Sequence, residues 1–216
     1  MATWLRSFGL PGPTESRLPS DRPGPHPEPP VDLASRALPL VDLPGPWFRF
    51  HQVHHDPLYF GRSTDGRFNA PNAEYGVLYV GSDPHCAFIE TFGQSTGVYT
   101  VTVGALAARA LSRIEARRPL RLVDLTGSGL ARLGADERLC SGEHEVAQRW
   151  AQALWAHPAH PDGLLYRARH DPSRHSVAIF DRASVELRST LLGGWLDPHH
   201  RDLLAEILDT CGFGLA

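Results

Sequence analysis

Apolar positions are spaced differently on the two sides of Trp47. Downstream, short runs rich in β-branched and aromatic residues alternate with stretches of helical period. Residues 47–51, 77–80, 98–103, 120–125, 164–167 and 177–180 predict strands, because an extended chain favours branched side chains and turns successive residues to opposite faces. Asp83-Pro84 supplies an N-cap and a proline whose missing N–H costs nothing in a first turn, and Gly93 supplies a stop, so a helix is predicted between them. Val146, Trp150, Ala153 and Leu154 share one face of a helix predicted over 143–156. A last helix starts at Asp197-Pro198, carries Leu203, Leu204, Ile207, Leu208 and Cys211 as its buried stripe, and stops at Gly212. Strands and helices interleaved irregularly predict an α+β (mixed α/β) fold.

Upstream of Trp47 the pattern is broken by proline. The stretch from Pro11 to Pro46 holds 11 of the 19 prolines. Each fixes φ and removes a backbone donor, which predicts an extended, polyproline-like extension over residues 1–45 in place of helix or sheet ladders. Its few apolar residues, among them Val31, Leu33, Leu38, Leu40 and Leu43, can lie along the surface of a folded domain spanning 46–216. A PxxP ligand for a signalling module is the sharper alternative.

Composition narrows the function classes. At 216 residues and 42% hydrophobic content the chain can bury a core of ordinary size. A formal net charge of −3 without a basic block argues against direct nucleic-acid binding. Three widely spaced cysteines, Cys86, Cys140 and Cys211, argue against a disulfide framework and for a reducing compartment. No apolar run approaches the roughly 20 residues that span a bilayer, and no signal-peptide pattern opens the chain, so a cytoplasmic protein without membrane partners is expected.

The candidate chemistry lies between residues 66 and 90. Arg67 sits in the turn Gly66-Arg67-Phe68-Asn69, Tyr79 in the strand Val77-Leu78-Tyr79-Val80, and Glu90 on the next helix among Ala87, Phe88, Ile89 and Phe92. Glycine and asparagine tolerate unusual backbone angles, so the turn can gather amides and a guanidinium around an anion; otherwise Arg67 is a solvated surface residue. Tyr79 is either a core residue or a ring stacked on nicotinamide or ribose, its hydroxyl on the sugar or a carboxylate. A carboxylate as apolar in its setting as Glu90 requires either a partner, with Arg67 and Arg49 as candidates, or a pocket to face. Such a set suits a phosphate-bearing nucleoside, and in particular the cleavage of the nicotinamide–ribose bond of NAD. Departing nicotinamide leaves an oxocarbenium-like ribose that a fixed negative charge stabilises.

These residues, with Arg49 in Trp47-Phe48-Arg49-Phe50 and a late Ser176-Val177-Ala178-Ile179-Phe180 strand, resemble the RES family from about Trp47 to Phe180. The resemblance implies an ADP-ribosyltransferase-like core of short, mostly antiparallel strands with flanking helices. It implies NAD as substrate with no separate cofactor, consumed by hydrolysis or phosphorolysis, or alternatively by ADP-ribosyl transfer to a protein. It also implies a toxin silenced by an Xre-type antitoxin. Glu90, Tyr79 and Arg67 would be catalytic, while Arg49, Arg67, Tyr79 and Ser176 would bind NAD. Phe68 stands where the family usually has tryptophan. Ser176 lacks a nucleophile-elbow context and reads as a hydrogen-bonding ligand of phosphate or ribose, or as a plain strand-entry residue. Arg49 is a second pyrophosphate ligand or a buried partner of Glu90.

Histidine offers a different class. His51, His54 and His55, next to Asp56, have the density of a metal cluster and would make the protein a metal-dependent hydrolase. No HExxH spacing supports this, and Pro57 interrupts the segment at once. No metal site is therefore assigned.

Overall fold

The computed structural model describes residues 24–94, 97 and 99–216. Its strands are β1 (Leu40–Leu43), β2 (Trp47–Gln52), β3 (Val77–Gly81), β4 (Thr100–Val101), β5 (Arg109–Ala116), β6 (Leu120–Asp124), β7 (Gly163–Arg167), β8 (His175–Phe180), β9 (Leu187–Gly194) and β10 (Gly214–Leu215). The helices are α1 (Pro84–Phe92), α2 (Val103–Ala107), α3 (Ser128–Leu133), α4 (Arg138–Ser141), α5 (His144–Trp155) and α6 (Arg201–Cys211). Eight strands form one sheet in the order β1-β6-β7-β8-β3-β2-β5-β9, and β10 pairs with β4 in a second. Within the large sheet only β6 and β7 run parallel. This is the expected α+β class.

Alternation on the central strands divides the core. Val77, Ala178 and Phe180 face a cluster with Trp150 and Leu154 of α5, while Leu78, Val80, Val177 and Ile179 face Ile114, Leu120 and Leu122 on the other side. A third cluster gathers Phe50, Phe88, Leu111, Trp195 and Ile207, with the Phe50 and Trp195 rings stacked at 4.3 Å. β2 and β3 are registered at one pair, Phe48 with Gly81. Beyond that point the strands part, and the opening in the sheet becomes a cavity wall.

Several expectations change. Within 98–103, Val98 lies outside the described residues, only Thr100–Val101 is strand, and α2 begins at Val103. The buried face of α5 runs through Ala147, Gln148, Trp150, Ala151 and Leu154, leaving Val146 and Ala153 at its margin. The last helix begins at Arg201, after a 3-10 turn over Pro198–His200.

The proline-rich segment departs furthest from its pattern. Residues 1–23 lie outside the described residues, but Leu33 and Leu38 are buried in the core and Leu40–Leu43 pairs antiparallel with β6. Pro39 and Pro44 bracket this edge strand instead of interrupting it, so no ladder donor is lost. The Trp150 indole N–H donates to the Pro27 carbonyl (2.8 Å), and Arg149 pairs with Glu28 (2.6 Å). Residues 27–43 thus belong to the same packed body as the domain expected from residue 46.

Candidate functional site

The parted strands β2 and β3, helix α1 and the turn before β3 enclose a cavity of about 490 Å³. Arg49, Arg67, Tyr79, Glu90 and Ser176 all reach its wall. Each arrives by a different local device.

Helix α1 delivers Glu90. Asp83 caps it, accepting the Cys86 N–H at 2.9 Å, and Pro84 occupies the first turn. A Cβ at Gly81 would lie 2.8 Å from the Ala87 nitrogen, so glycine there lets the helix start directly against the end of β3. Glu90 is half-buried; its Oε1 accepts the His170 backbone N–H at 3.1 Å. Neither Arg67 nor Arg49 forms an ion pair with it, nor does any cation among the described residues. Glu90 is thus held by a backbone donor and by no counter-ion among the described residues.

The Arg67 turn is pinned from three sides. Asn69 donates to the Ser63 carbonyl (2.6 Å), and Gln148 of α5 donates to the carbonyls of Thr64 (2.7 Å) and Gly66 (3.0 Å). The Tyr79 hydroxyl accepts the Phe68 N–H (2.8 Å) and donates to Asn69 Oδ1 (2.9 Å). A side chain at Gly66 would collide with Asn69, which accounts for this glycine. Arg67 itself is 8% exposed and donates to the Gly142 carbonyl at 2.7 Å. Burial, reinforced by nearby Arg169, lowers its pKa, while guanidinium basicity keeps it charged at neutral pH.

Tyr79 differs from expectation in one respect. Its hydroxyl is committed to the turn, so the residue contributes a ring to the cavity wall and rigidity to Arg67. Burial pushes the phenol above its ordinary range. Arg49 donates to the Pro57 carbonyl (2.6 Å), and burial, partly opposed by Asp56, brings it down to about 10. Ser176 is 2% exposed, opposite Gly81 in the sheet, with its Oγ 3.4 Å from Cys86 Sγ.

The histidine cluster does not assemble. His51 is buried with Nε2 2.9 Å from Ser112 Oγ and Nδ1 2.9 Å from the Gln52 carbonyl, and burial lowers its pKa. His54 and His55 lie in the exposed segment that follows. No group of three metal-ligating side chains converges among the described residues.

Residues that no motif announced complete the wall. Arg109 comes from the start of β5, Arg169 and His170 from the loop between β7 and β8, and Tyr166 from β7. The lining thus holds four arginines, Arg49, Arg67, Arg109 and Arg169, against two carboxylates, Asp65 and Glu90. That excess favours an anionic ligand, with a separate locus at Glu90 for positive charge. No helix among the described residues is long and apolar enough to cross a membrane.

The family model described as RES domain matches residues 46–199. A protein of Sinorhizobium fredii named "Probable toxin y4kH" is 33% identical over 116 residues, covering 53% of this chain and 89% of that protein. A chain in the crystal structure of the M. tuberculosis MbcT–MbcA toxin–antitoxin complex matches with a TM-score of 0.58 at 18% identity, covering 79% of this chain and 92% of that one. At that identity the structural likeness speaks for the fold.

Proposed function

The chain belongs to the RES domain family, and on that premise we propose that the cavity binds NAD and cleaves its nicotinamide–ribose bond. The observation that carries this reading is the carboxylate of Glu90, without a counter-ion among the described residues, facing a cavity lined by four arginines. NAD has the matching polarity, with an anionic pyrophosphate at its centre and a cationic nicotinamide riboside at one end. Arg67 and Arg49 grip the pyrophosphate, and the Tyr79 ring lies along the sugar or nicotinamide. Ser176 hydrogen-bonds ribose or phosphate.

In the reaction the C1′–N bond breaks and its electron pair leaves with nicotinamide, which departs neutral. Positive charge then sits on the ribose, where Glu90 opposes it. The C1′ centre is captured by water, releasing a proton, or by phosphate. Transfer to a protein side chain is the alternative outcome of the same cleavage. Because the leaving group is already cationic, neither a metal nor an organic cofactor is required.

Similarity to a named probable toxin, and a shared fold with a chain of a toxin–antitoxin complex, support extending the reading to a bacterial toxin. Its partner would be a small helical antitoxin of Xre type that closes the cavity. Inducible expression without a partner should deplete cellular NAD and arrest growth, and the Glu90→Gln protein should do neither. Normal growth and normal NAD in cells making soluble parental protein would contradict the toxin role.

A further inference from the structure

Glu90 is steadied by one side-chain hydrogen bond among the described residues, the 3.1 Å contact from the His170 N–H. That donor belongs to the loop of residues 168–174 between β7 and β8. The loop is closed on itself: the Ala168 N–H donates to the Arg174 carbonyl and the Arg174 N–H to the Asp171 carbonyl, both at 3.0 Å. Asp171 Oδ1 also accepts from the Ser173 hydroxyl at 2.6 Å. Beside the Arg167 bond to the Pro172 carbonyl (2.8 Å), Arg174 ties this unit to the start of α1. Its Nη1 lies 2.6 Å from Asp83 Oδ2 and its Nε 2.8 Å from Asp171 Oδ2, with the side chain only 24% exposed. Asp83 is the N-cap of α1, the helix that bears Glu90. One guanidinium therefore joins the cap of the carboxylate's helix to the loop that aims the carboxylate.

We propose that Arg174 is a positioning residue for bond cleavage, its bridge from Asp83 to Asp171 holding the His170 N–H against Glu90. The inference rests on the reading of this cavity as the NAD-cleaving site. A planar guanidinium can serve two carboxylates on different elements at once, which an ammonium does poorly. The consequence is confined to one end of the cavity. A mispositioned Glu90 loses its grip on charge developing at C1′, while the pyrophosphate ligands Arg49 and Arg67 stand on other elements and keep their hold.

The test uses the purified full chain and NAD. Arg174→Ala should lower kcat about 10-fold or more with KM within about 3-fold of parental, as expected for lost orientation without lost binding. Arg174→Lys should restore part of kcat. Amide exchange at His170 should quicken in Arg174→Ala, reporting the freed loop directly. Should that protein fail to fold, Asp171→Asn removes the charge of the loop-side arm, keeps an amide oxygen for Ser173, and should show the same kcat-selective loss. Parental kcat in the folded variants, or kcat and KM worsening together with no change in exchange at His170, overturns the inference. A parental protein that leaves NAD intact overturns the functional reading and takes this inference with it.

Discussion

Replacing Glu90 by glutamine is expected to slow NAD cleavage on the order of 100-fold or more while leaving affinity for NAD near the parental value. Glutamine keeps the size of the side chain and can still accept the His170 N–H through its amide oxygen. What it removes is the charge. On the proposed reading, the ground-state attraction between the cationic nicotinamide ring and the carboxylate is modest. As the C1′–N bond opens, the charge moves onto the ribose and the fixed carboxylate gains in value, so the loss falls on kcat. Steady-state kinetics beside a binding titration separate the two. A variant that turns over NAD at the parental rate would make Glu90 structural.

Arg67→Ala should act in the opposite sense. On the proposed reading its guanidinium grips an anion present in substrate and transition state alike, so its loss should raise the Kd for NAD on the order of 10- to 100-fold, the worth of one charge-assisted contact. Turnover at saturating NAD should fall further only if the clamp also orients the ribose. The same substitution leaves the Gly142 carbonyl without its donor, at a cost of about 1–2 kcal/mol in stability. Thermal unfolding distinguishes that modest loss from the larger effect on binding. Unchanged NAD affinity in a folded Arg67→Ala protein would remove Arg67 from the phosphate site.

Which parts of this architecture were legible in advance follows from how locally each is encoded. Strand β3 and helix α1 carry their own signals, apolar residues at Val77, Leu78 and Val80 and then the Asp83-Pro84 cap, and they occur where expected. β9 gave no signal because it is an edge strand with Arg188, Ser189, Thr190, Leu191 and Leu192 all exposed, so nothing imposes alternation. β5 follows the alanine-rich segment 104–108 and is hidden by it. β1 was masked by the prolines on either side, though none lies within it.

The same distinction applies to the cavity. Arg67, Tyr79 and Glu90 fall within one short segment of chain, and the turn, strand and helix that present them are contiguous. Arg109, Arg169 and His170 reach the wall only because the sheet sets β8, β3, β2 and β5 side by side, out of chain order. No periodicity in the sequence encodes that adjacency. Nor could the residue type of Tyr79 disclose that its hydroxyl would be spent on Phe68 and Asn69.

On the proposed reading this cavity breaks the bond between nicotinamide and ribose. The most direct test is incubation of the purified protein with NAD, with and without inorganic phosphate, and identification of the products by mass. The expected products are free nicotinamide, together with ADP-ribose when water is the acceptor or its 1″-phosphate when phosphate is. Intact NAD after prolonged incubation with folded protein at high concentration, in both conditions, would contradict it.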